Sequence, residues 1–290
     1  MGRFQRVKIG QTYSDWIEIW GTVPQGTLLG VMCFLCMIND LDTGCETVKY
    51  VDDTTIYNIS STNHDQTLQE AVDVAVKWSK DNDMRLNASK TKEMLISFAK
   101  VCPDVTPIVI ENETVDRVDH CTLLGVQLSS NLSWELHTQK MLKKANTRLF
   151  FLKQLKRAKV SPSDIVATYP AIVRPVLEYA CQVWHPGLTQ EQRDSIEKIQ
   201  ERALRIAFPG LSYEHARDTF SVPTLEHRRT DLCKRLFNDM KSDTHTLHSL
   251  LPPARERAYS TRNSQDYPLP VVKTDRYKKS FIPFCLFNCQ

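Results

Sequence analysis

The sequence has no long hydrophobic run. Its longest apolar stretch, Leu28 to Ile38, falls far short of the roughly 20 residues that a membrane-spanning helix needs. The first residues are polar and basic, and no apolar segment follows them, so we expect no secretory signal peptide. These absences predict an intracellular protein of the nucleus or cytoplasm, neither secreted nor embedded in a membrane.

The sequence also lacks the repeated cysteine spacing of a structural zinc site. Its nine cysteines are scattered, and the pair Cys33 and Cys36 has no second pair at a matching distance. That pair lies in an apolar helical run, so we interpret both residues as core packing. Cys233, His245 and His248 lack a fourth ligand at a usual spacing. The pattern is typical of reduced intracellular thiols that serve as small hydrophobic side chains.

A large excess of positive charge is also missing, because the net charge of the 290 residues is only +3. Total charge therefore gives no argument for a nucleic-acid ligand. Hydrophobic residues make up 41% of the chain and charged residues 24%, which is ordinary for a soluble globular protein. The length predicts about two domains, and no internal repeat is present.

Acidic residues are absent from one long stretch, His137 to Lys159, which is rich in lysine and arginine. Apolar residues recur in it at helical spacing, and cations recur at every fourth position on another face. Such a face suits a phosphate backbone, although most charged helix faces are simply solvated. We predict contact with nucleic acid through four of these cations: Lys140, Lys143, Lys144 and Arg148.

Two adjacent carboxylates, Asp52 and Asp53, interrupt a run of strand-forming residues from Lys49 to Tyr57. Because aspartate is depleted from strand interiors, we predict a hairpin with both aspartates in its tight turn. Two neighbouring anions repel each other unless a cation lies between them, and Mg2+ prefers carboxylate and phosphate oxygens. A solvated turn is the alternative, because any turn accommodates aspartate.

The Asp52–Asp53 pair belongs to a series of motifs that extends along the chain. The motifs occur in the order Pro24-Gln25-Gly26, Leu29-Gly30, Ile38-Asn39-Asp40-Leu41, Tyr50-x-Asp52-Asp53, Lys90-Thr91-Lys92, Leu124-Gly125-Val126, Leu132-Ser133-Trp134-x-x-His137, Arg174-Pro175-Val176-Leu177-Glu178-Tyr179, Trp184-x-Pro186 and Arg276-Tyr277-Lys278-x-Ser280-Phe281-x-Pro283. This order resembles the reverse transcriptases of non-LTR (LINE-type, jockey-like) retrotransposons, and the resemblance covers nearly the whole chain.

The resemblance implies roles for particular residues. Asp52 would be a metal ligand and Asp53 its accessory partner, in a site that holds two Mg2+ ions in the family. Gln25, Gly26 and Tyr50 would lie beside the template and the incoming nucleotide. The implied ligands are an RNA template, a DNA primer and deoxynucleotide triphosphates.

Two lysines complete the set of candidate catalytic residues. The resemblance implies that Lys90 or Lys92 lies near the triphosphate, where a cation stabilises or protonates the leaving pyrophosphate. The alternative is that both are solvated turn lysines.

A further catalytic aspartate of the family, well upstream of the Pro-Gln-Gly turn, has no counterpart here. Asp15 and Glu18 precede that turn, and neither has the family's setting. Thr22 and Val31 also replace the usual Gly and Pro. We therefore expect a fragment without the fingers, that aspartate or any endonuclease domain, inactive alone, with a sheet edge and apolar surface exposed. The alternatives are a non-catalytic nucleic-acid-binding protein and a translated relic without function.

The predicted fold class is α+β, with a partial polymerase palm of antiparallel sheet and packed helices followed by an α-helical region. The predicted boundaries are 1–100 for the palm, 101–130 for a primer-grip-like hairpin, 131–210 for a basic thumb-like region and 211–290 for a helical and irregular C-terminal region.

Local patterns predict the elements within these regions. We expect a hairpin over 6–19, helices over 28–39, 64–84 and 225–240, and a strand over 94–98. Strands should also lie around Glu111-Asn112 and Asp119-His120.

Helix-capping residues, prolines and a terminal apolar run predict further details of the helical region. Ser161 with Pro162, and Thr189 with Gln192, are predicted helix starts. Pro170 and Pro175 should make the helices between those two starts short or kinked. The apolar residues 281–287 should dock onto the helices.

Overall fold

Short two-stranded ladders and packed helices make up the chain. The computed structural model describes residues 3–19, 28–60, 66–100, 103–255 and 266–289, which fall into two units, 1–118 and 119–290. The mixture of helices and small sheets confirms the predicted α+β class. In the parts of the chain covered by these ranges, no helix has both the length and the apolar character to cross a membrane.

The first unit begins with one antiparallel ladder inside another. Strands β1 (Arg3–Gln5) and β4 (Ile17–Ile19) form the outer pair, and β2 (Lys8–Ile9) and β3 (Thr12–Tyr13) the inner pair. The predicted hairpin is confirmed, and its pairing extends back to β1.

A helix, a hairpin and a second helix then pack around a small core. They are α1 (Leu28–Asn39), the antiparallel strands β5 (Glu46–Tyr50) and β6 (Asp53–Tyr57), and α2 (Thr67–Asp81). The apolar contacts that join them come from Phe34, Ile38, Leu41, Ile56, Ala75 and Trp78. These contacts pack the first helix against the Asp52–Asp53 hairpin.

Very short strands complete the first unit. Strand β7 (Lys92–Glu93) pairs in parallel with β10 (Asp116–Arg117), and β8 (Val109–Ile110) pairs antiparallel with β9 (Glu113–Thr114). The predicted strand over 94–98 was wrong, because the pairing with β10 stops at Glu93 and residues 94–98 join no ladder. Apolar character alone does not make a strand, because a strand also needs a second strand to pair with.

The second unit opens with a hairpin of β11 (His120–Leu123) and β12 (Val126–Ser129). Its turn is Leu124-Gly125, where both residues have positive φ angles, 47° and 82°. The predicted strands around Asp119-His120 are confirmed: β10 ends at Arg117, and His120 is the first residue of β11. The predicted strands around Glu111-Asn112 are β8 and β9, and these two residues form the turn between them with φ angles of 49° and 69°.

Helices form the rest of the second unit. In chain order they are α3 (Glu135–Arg157), α4 (Pro162–Ile172), α5 (Arg174–Glu178), α6 (Cys181–Trp184), α7 (Gln190–Ala207), α8 (Tyr213–Thr219), α9 (Leu225–Asp239), α10 (Asp275–Lys278) and α11 (Phe281–Asn288). The Ser161 hydroxyl accepts from the Asp164 N–H, and Thr189 with Gln192 forms a full capping box, so both predicted starts are confirmed.

Two buried clusters hold the second unit together. The larger one joins α3, α4 and α7 through side chains such as Leu149, Tyr169 and Ile196, each at most 1% exposed. In the smaller one, Cys285 and Leu286 of α11 pack with Phe237 of α9. The predicted docking of the apolar residues 281–287 is confirmed.

Candidate functional site

The Asp52–Asp53 hairpin has a two-residue turn. Tyr50 pairs with Asp53 across the ladder, so the turn consists of Val51 and Asp52, while Asp53 begins β6. The sequence predicted both aspartates in the turn. The observed turn begins one residue earlier, so only Asp52 lies in it. Val51 has a φ of 56°, in a left-handed region that β-branched residues avoid at a cost of about 1–3 kcal/mol.

Both aspartates at this tip are exposed to solvent. No ammonium or guanidinium pairs with either carboxylate in the described parts of the chain. Across the same residues, no cluster of three or more His, Cys, Asp or Glu side chains is placed to hold a metal ion. The tip therefore supplies two oxygen-donor groups, which is the ligand chemistry that Mg2+ prefers.

Lys49 anchors the hairpin to the end of α1. Its ammonium donates to the carbonyls of Ile38 at 2.9 Å, Asn39 at 3.3 Å and Leu41 at 2.5 Å. A cation at a helix C-terminus satisfies carbonyls that lack helical partners and opposes the negative end of the helix dipole. Sequence reasoning missed this role, although the strand alternation places Lys49 on the inward side with Thr47.

The other predicted residues of this region differ in their settings. Tyr50 is 60% exposed. The ammonium of Lys92 donates to Asp116 at 2.7 Å, which lowers the pKa of that carboxyl, whereas Lys90 is exposed. In the described parts of the chain, no hydrogen bond or ion pair joins either lysine to Asp52 or Asp53. The predicted residues Gln25 and Gly26 lie outside the described residues.

Helix α1 presents an apolar face to solvent. Leu28 is 80% exposed and Leu29 70%, and Met32 and Leu35 are also exposed. Such exposure agrees with the expected uncovered apolar surface, because an all-apolar helix normally lies in a core. The interpretation of Cys33 and Cys36 as core residues was wrong, since both lie on this exposed surface.

The four predicted nucleic-acid residues of α3 fall into two groups. Lys143 and Lys144 are exposed and extend from the solvent side of the helix. Lys140 donates to the side chain of Gln127 on β12, and Arg148 donates to the carbonyl of Ile172 at 2.9 Å, near the end of α4. Two of the cations therefore also have a local structural partner.

Several motifs that are distant in sequence meet in the second unit. The Tyr179 hydroxyl donates to the carbonyl of Leu124 at 2.7 Å, and a Cβ on Gly125 would lie 3.3 Å from the Tyr179 ring. Nδ1 of His137 accepts from the N–H of Gln127 at 3.2 Å, and its ring lies 5.4 Å from that of Trp184. Burial lowers the pKa of His137. These contacts identify the downstream motifs as parts of one packed junction.

Trp134 and Gly187 form the tightest contact of that junction. A Cβ on Gly187 would lie 2.5 Å from Nε1 and 2.8 Å from Cδ1 of Trp134, closer than nonbonded atoms approach. The neighbouring Trp184 donates from Nε1 to the carbonyl of Tyr179 at 2.9 Å. The indole of Trp134 therefore requires a residue without a side chain at position 187.

Glu178 links the same junction to α9. Arg228 donates to its carboxylate from Nε at 2.5 Å and from a terminal nitrogen at 3.1 Å, and Arg174 lies 3.7 Å away. The hydrogen bond to Glu178 raises the pKa of Arg228. A two-point arginine–carboxylate pair fixes orientation as well as charge.

Comparison with known proteins gives a family match to the first unit and the hairpin that follows it. Residues 4–128 match the model described as reverse transcriptase (RNA-dependent DNA polymerase). Residues 134–173 match a second model, described as alkylated DNA repair protein alkB homolog 8, N-terminal. No solved structure matches the chain.

Relatives extend the first match over most of the sequence. The RNA-directed DNA polymerase from mobile element jockey of Drosophila funebris is 26% identical over 83% of this chain and 28% of its own length. The probable RNA-directed DNA polymerase from transposon BS of Drosophila melanogaster is 23% identical over 69% of this chain and 23% of its own. The chain thus spans about a quarter of the curated relatives it matches. Its sequence is that of a relative of the reverse transcriptases of jockey-like, non-LTR (LINE-type) retrotransposons, as the order of its motifs predicted.

Proposed function

We propose that this chain is a section of an RNA-directed DNA polymerase, with residues 1–100 as part of the palm and 131–210 as a thumb-like region. Residues 101–130 would be a primer-grip-like segment and 211–290 a helical C-terminal region. The observation that carries the proposal is the exposed Asp52–Asp53 tip inside the stretch that matches the reverse transcriptase family. The substrates would be an RNA template, a DNA primer and deoxynucleotide triphosphates.

The residues at the tip suit one Mg2+ ion better than two. Asp52 and Asp53 would hold it through carboxylate oxygens, and the ion would supply charge neutralisation for a bound triphosphate. A single tip offers two side chains, and the two-metal chemistry of polymerases draws carboxylates from a second strand. We therefore expect no nucleotidyl transfer from this chain alone.

Lys49 would have a positioning role in this function. By fastening β5 to the end of α1, it fixes the direction in which the tip points. The same anchoring leaves both carboxylates exposed, so they need not exchange a protein partner for the ion.

Primer extension on an RNA template with Mg2+ tests the proposal. We expect no product from the chain, and Mg2+-dependent extension once the upstream polymerase segment of a jockey-like relative is supplied on the same polypeptide. An Asp52→Asn variant of that fusion should lose extension, and a Glu46→Gln variant, at the far end of β5, should retain it. An active Asp52→Asn fusion would refute the metal role.

Contact with nucleic acid without catalysis is the second candidate function. Its support is the exposed pair Lys143 and Lys144 on the acid-free part of α3. Titration with RNA at rising salt should show an affinity that falls steeply, because cations bound to the phosphates are released. A Lys143→Glu/Lys144→Glu variant should weaken binding, and a Lys77→Glu/Arg235→Glu variant should not. A flat salt response would exclude this function.

A further inference from the structure

Four cysteines of the second unit form a connected row that the candidate site does not use. Cys181 lies on α6, Cys233 on α9 and Cys285 on α11, and all three are fully buried. A hydrogen bond joins the side chains of Cys181 and Cys233. The thiol of Cys285 lies 3.9 Å from the carbonyl of Cys233, and it is hydrogen-bonded to the partly exposed Cys289. The first pair comes from two separate helices, so its sulfurs meet only in the folded chain.

Arg229 lies on the same side of α9 as Cys233. The two residues are four positions apart on that helix, so their side chains are neighbours. Arg229 is fully buried, and its central guanidinium carbon lies 5.7 Å from the ring of Trp184, on the helix that Cys181 begins. The guanidinium and the two thiols therefore meet between α6 and α9.

The charge of Arg229 is poorly compensated. Its Nε donates to the imidazole of His185, but neither terminal nitrogen has a hydrogen-bond partner. No carboxylate forms an ion pair with it in the described parts of the chain. A buried cation without an anion is costly, and the ring of Trp184 supplies only part of the missing negative potential. A thiolate at Cys181 is the anion that this environment favours.

The two thiols differ in acidity. The hydrogen bond from Cys233 and the positive charge of Arg229 lower the pKa of Cys181 despite its burial. The same hydrogen bond, together with burial, raises the pKa of Cys233. The thiolate is the reactive form of cysteine. Cys181 is therefore the nucleophile of the pair, and Cys233 is its protonated partner.

We propose that Cys181 and Cys233 form a site of reversible oxidation by hydrogen peroxide, at which the dithiol becomes a disulfide that joins α6 to α9. The Cys181 thiolate attacks one peroxide oxygen, so that an S–O bond forms, the O–O bond breaks, and hydroxide leaves and takes up a proton. The sulfur of Cys233 then loses its proton and attacks the sulfenic acid. The S–S bond forms, the S–O bond breaks, and a second water leaves. A dithiol reductant such as dithiothreitol reverses the reaction and is itself oxidised to a disulfide.

An apolar groove gives a small oxidant access to this part of the fold. Its volume is about 680 Å3, and its lining includes Gln182 of α6, Leu236 of α9 and Leu286 of α11. Each of these residues lies within three positions of a buried cysteine of the row. Solvent therefore reaches the helix turns that carry the thiols, although the sulfurs themselves stay buried.

Mass spectrometry of the full chain tests the site without any substitution. The reduced chain is treated with hydrogen peroxide, its remaining thiols are alkylated under denaturing conditions, and the digested peptides are identified. We expect two peptides joined through Cys181 and Cys233, and we expect dithiothreitol to separate them. The proposal is overturned if this cross-link is absent when the exposed Cys33 is fully oxidised, or if the product resists dithiothreitol.

Single variants separate the roles of the two cysteines. Cys233→Ala should stop the reaction at the sulfenic acid of Cys181, which dimedone traps as a thioether. Cys181→Ala should leave Cys233 reduced at the same peroxide concentration, and Cys289→Ala, outside the pair, should keep the parent's cross-link. Oxidation of Cys233 at the parent's rate in Cys181→Ala would reject Cys181 as the nucleophile.

Arg229 should act as a positioning residue for this chemistry. We expect Arg229→Met to slow the oxidation of Cys181 at least tenfold, whereas Arg235→Met, at an exposed position of the same helix, should not. The pH at which the rate is half-maximal should also rise in Arg229→Met, because Glu178, whose charge opposes the thiolate, remains in place. Measurement above about pH 7 keeps His185 neutral. An unchanged rate and pH profile would show that the guanidinium has no part in the reaction and would overturn this assignment of the nucleophile.

Discussion

Arg229 donates a hydrogen bond from Nε to Nδ1 of His185 at 3.2 Å, with both side chains buried. An arginine nitrogen can only donate, so Nδ1 accepts and the imidazole proton lies on Nε2. Nε2 lies 3.2 Å from the Thr230 hydroxyl, which donates to the carbonyl of Glu226 at 2.9 Å. The chain of donors fixes one neutral tautomer of His185 and ties α9 to the segment after α6.

Stability should fall in mild acid because of this histidine. Burial and the charges of Arg229 and Arg193 lower the pKa of His185 to about 3. As the pH falls, His185 of the unfolded chain, with a pKa of about 6.5, takes up a proton before His185 of the folded chain does. The contribution of neutral His185 to stability is therefore complete above about pH 6.5 and is lost progressively toward pH 3. Urea unfolding at pH 5 should show about 2 kcal/mol less stability from this group than at pH 7.

A His185→Gln variant isolates that contribution. It should flatten the dependence of unfolding free energy on pH between 7 and 5, apart from the share of His137, whose pKa burial also lowers. An unaltered slope in His185→Gln would contradict the assignment.

The Arg228–Glu178 pair should contribute far more than a surface pair. Glu178 has a side chain only 13% exposed, so removal of Arg228 leaves a poorly solvated carboxylate. We expect Arg228→Met to cost about 2–3 kcal/mol of unfolding free energy. A double-mutant cycle with Glu178→Gln should give a coupling above about 1 kcal/mol, against at most about 0.5 kcal/mol for the exposed pair Arg205–Glu201. Equal couplings would show that the buried geometry has no special role.

Gly187 should tolerate no side chain while Trp134 is present. Gly187→Ala places a methyl group 2.5 Å from the indole, and overpacking of this kind costs about 1–3 kcal/mol. Gly210→Ala is the matched control, because a Cβ there meets nothing within 4 Å. Thermal unfolding of both variants checks the prediction. If Trp134→Leu abolishes the difference between alanine and glycine at position 187, the steric cause is established.

Lys49 should stabilise the first unit more than an exposed lysine does. Lys49→Met removes three hydrogen bonds to carbonyls at the end of α1, and we expect a loss of about 1–3 kcal/mol. Lys77→Met, on the exposed side of α2, should change the unfolding free energy by less than about 0.5 kcal/mol. Hydrogen exchange of the amides in β5 measures the effect locally. Equal exchange in both variants would remove the anchoring role.

Sequence patterns predicted the elements whose signals are local. The capping box of Thr189 and Gln192 and the cap at Ser161 depend on residues three positions apart, and both are present. The strand over 94–98 failed because a strand needs a partner that periodicity cannot specify. The turn at Val51-Asp52 differed for a related reason, since cross-strand register places Asp53 opposite Tyr50.

The candidate site likewise combines features that local sequence predicts with features that depend on the fold. Adjacent aspartates and an acid-free helix are visible in one dimension, whereas the anchoring by Lys49 joins residues eight to eleven positions apart through the fold. Arg148 had the spacing of a surface cation, but its partner is a carbonyl on another helix. The packing of α3 against α7 depends on which helices are neighbours, and no spacing rule supplies that.

The junction of Trp134, His137, Tyr179 and Trp184 has a consequence for recognising distant kin. Its residues contact one another through hydrogen bonds and ring packing. A homologue detected by these motifs therefore shares this packed part of the fold. Such a homologue could have exchanged its chemistry entirely and would still be found. Conservation of the fold and conservation of catalysis should therefore be assessed separately among homologues. The first is read at these four junction residues and the second at Asp52 and Asp53.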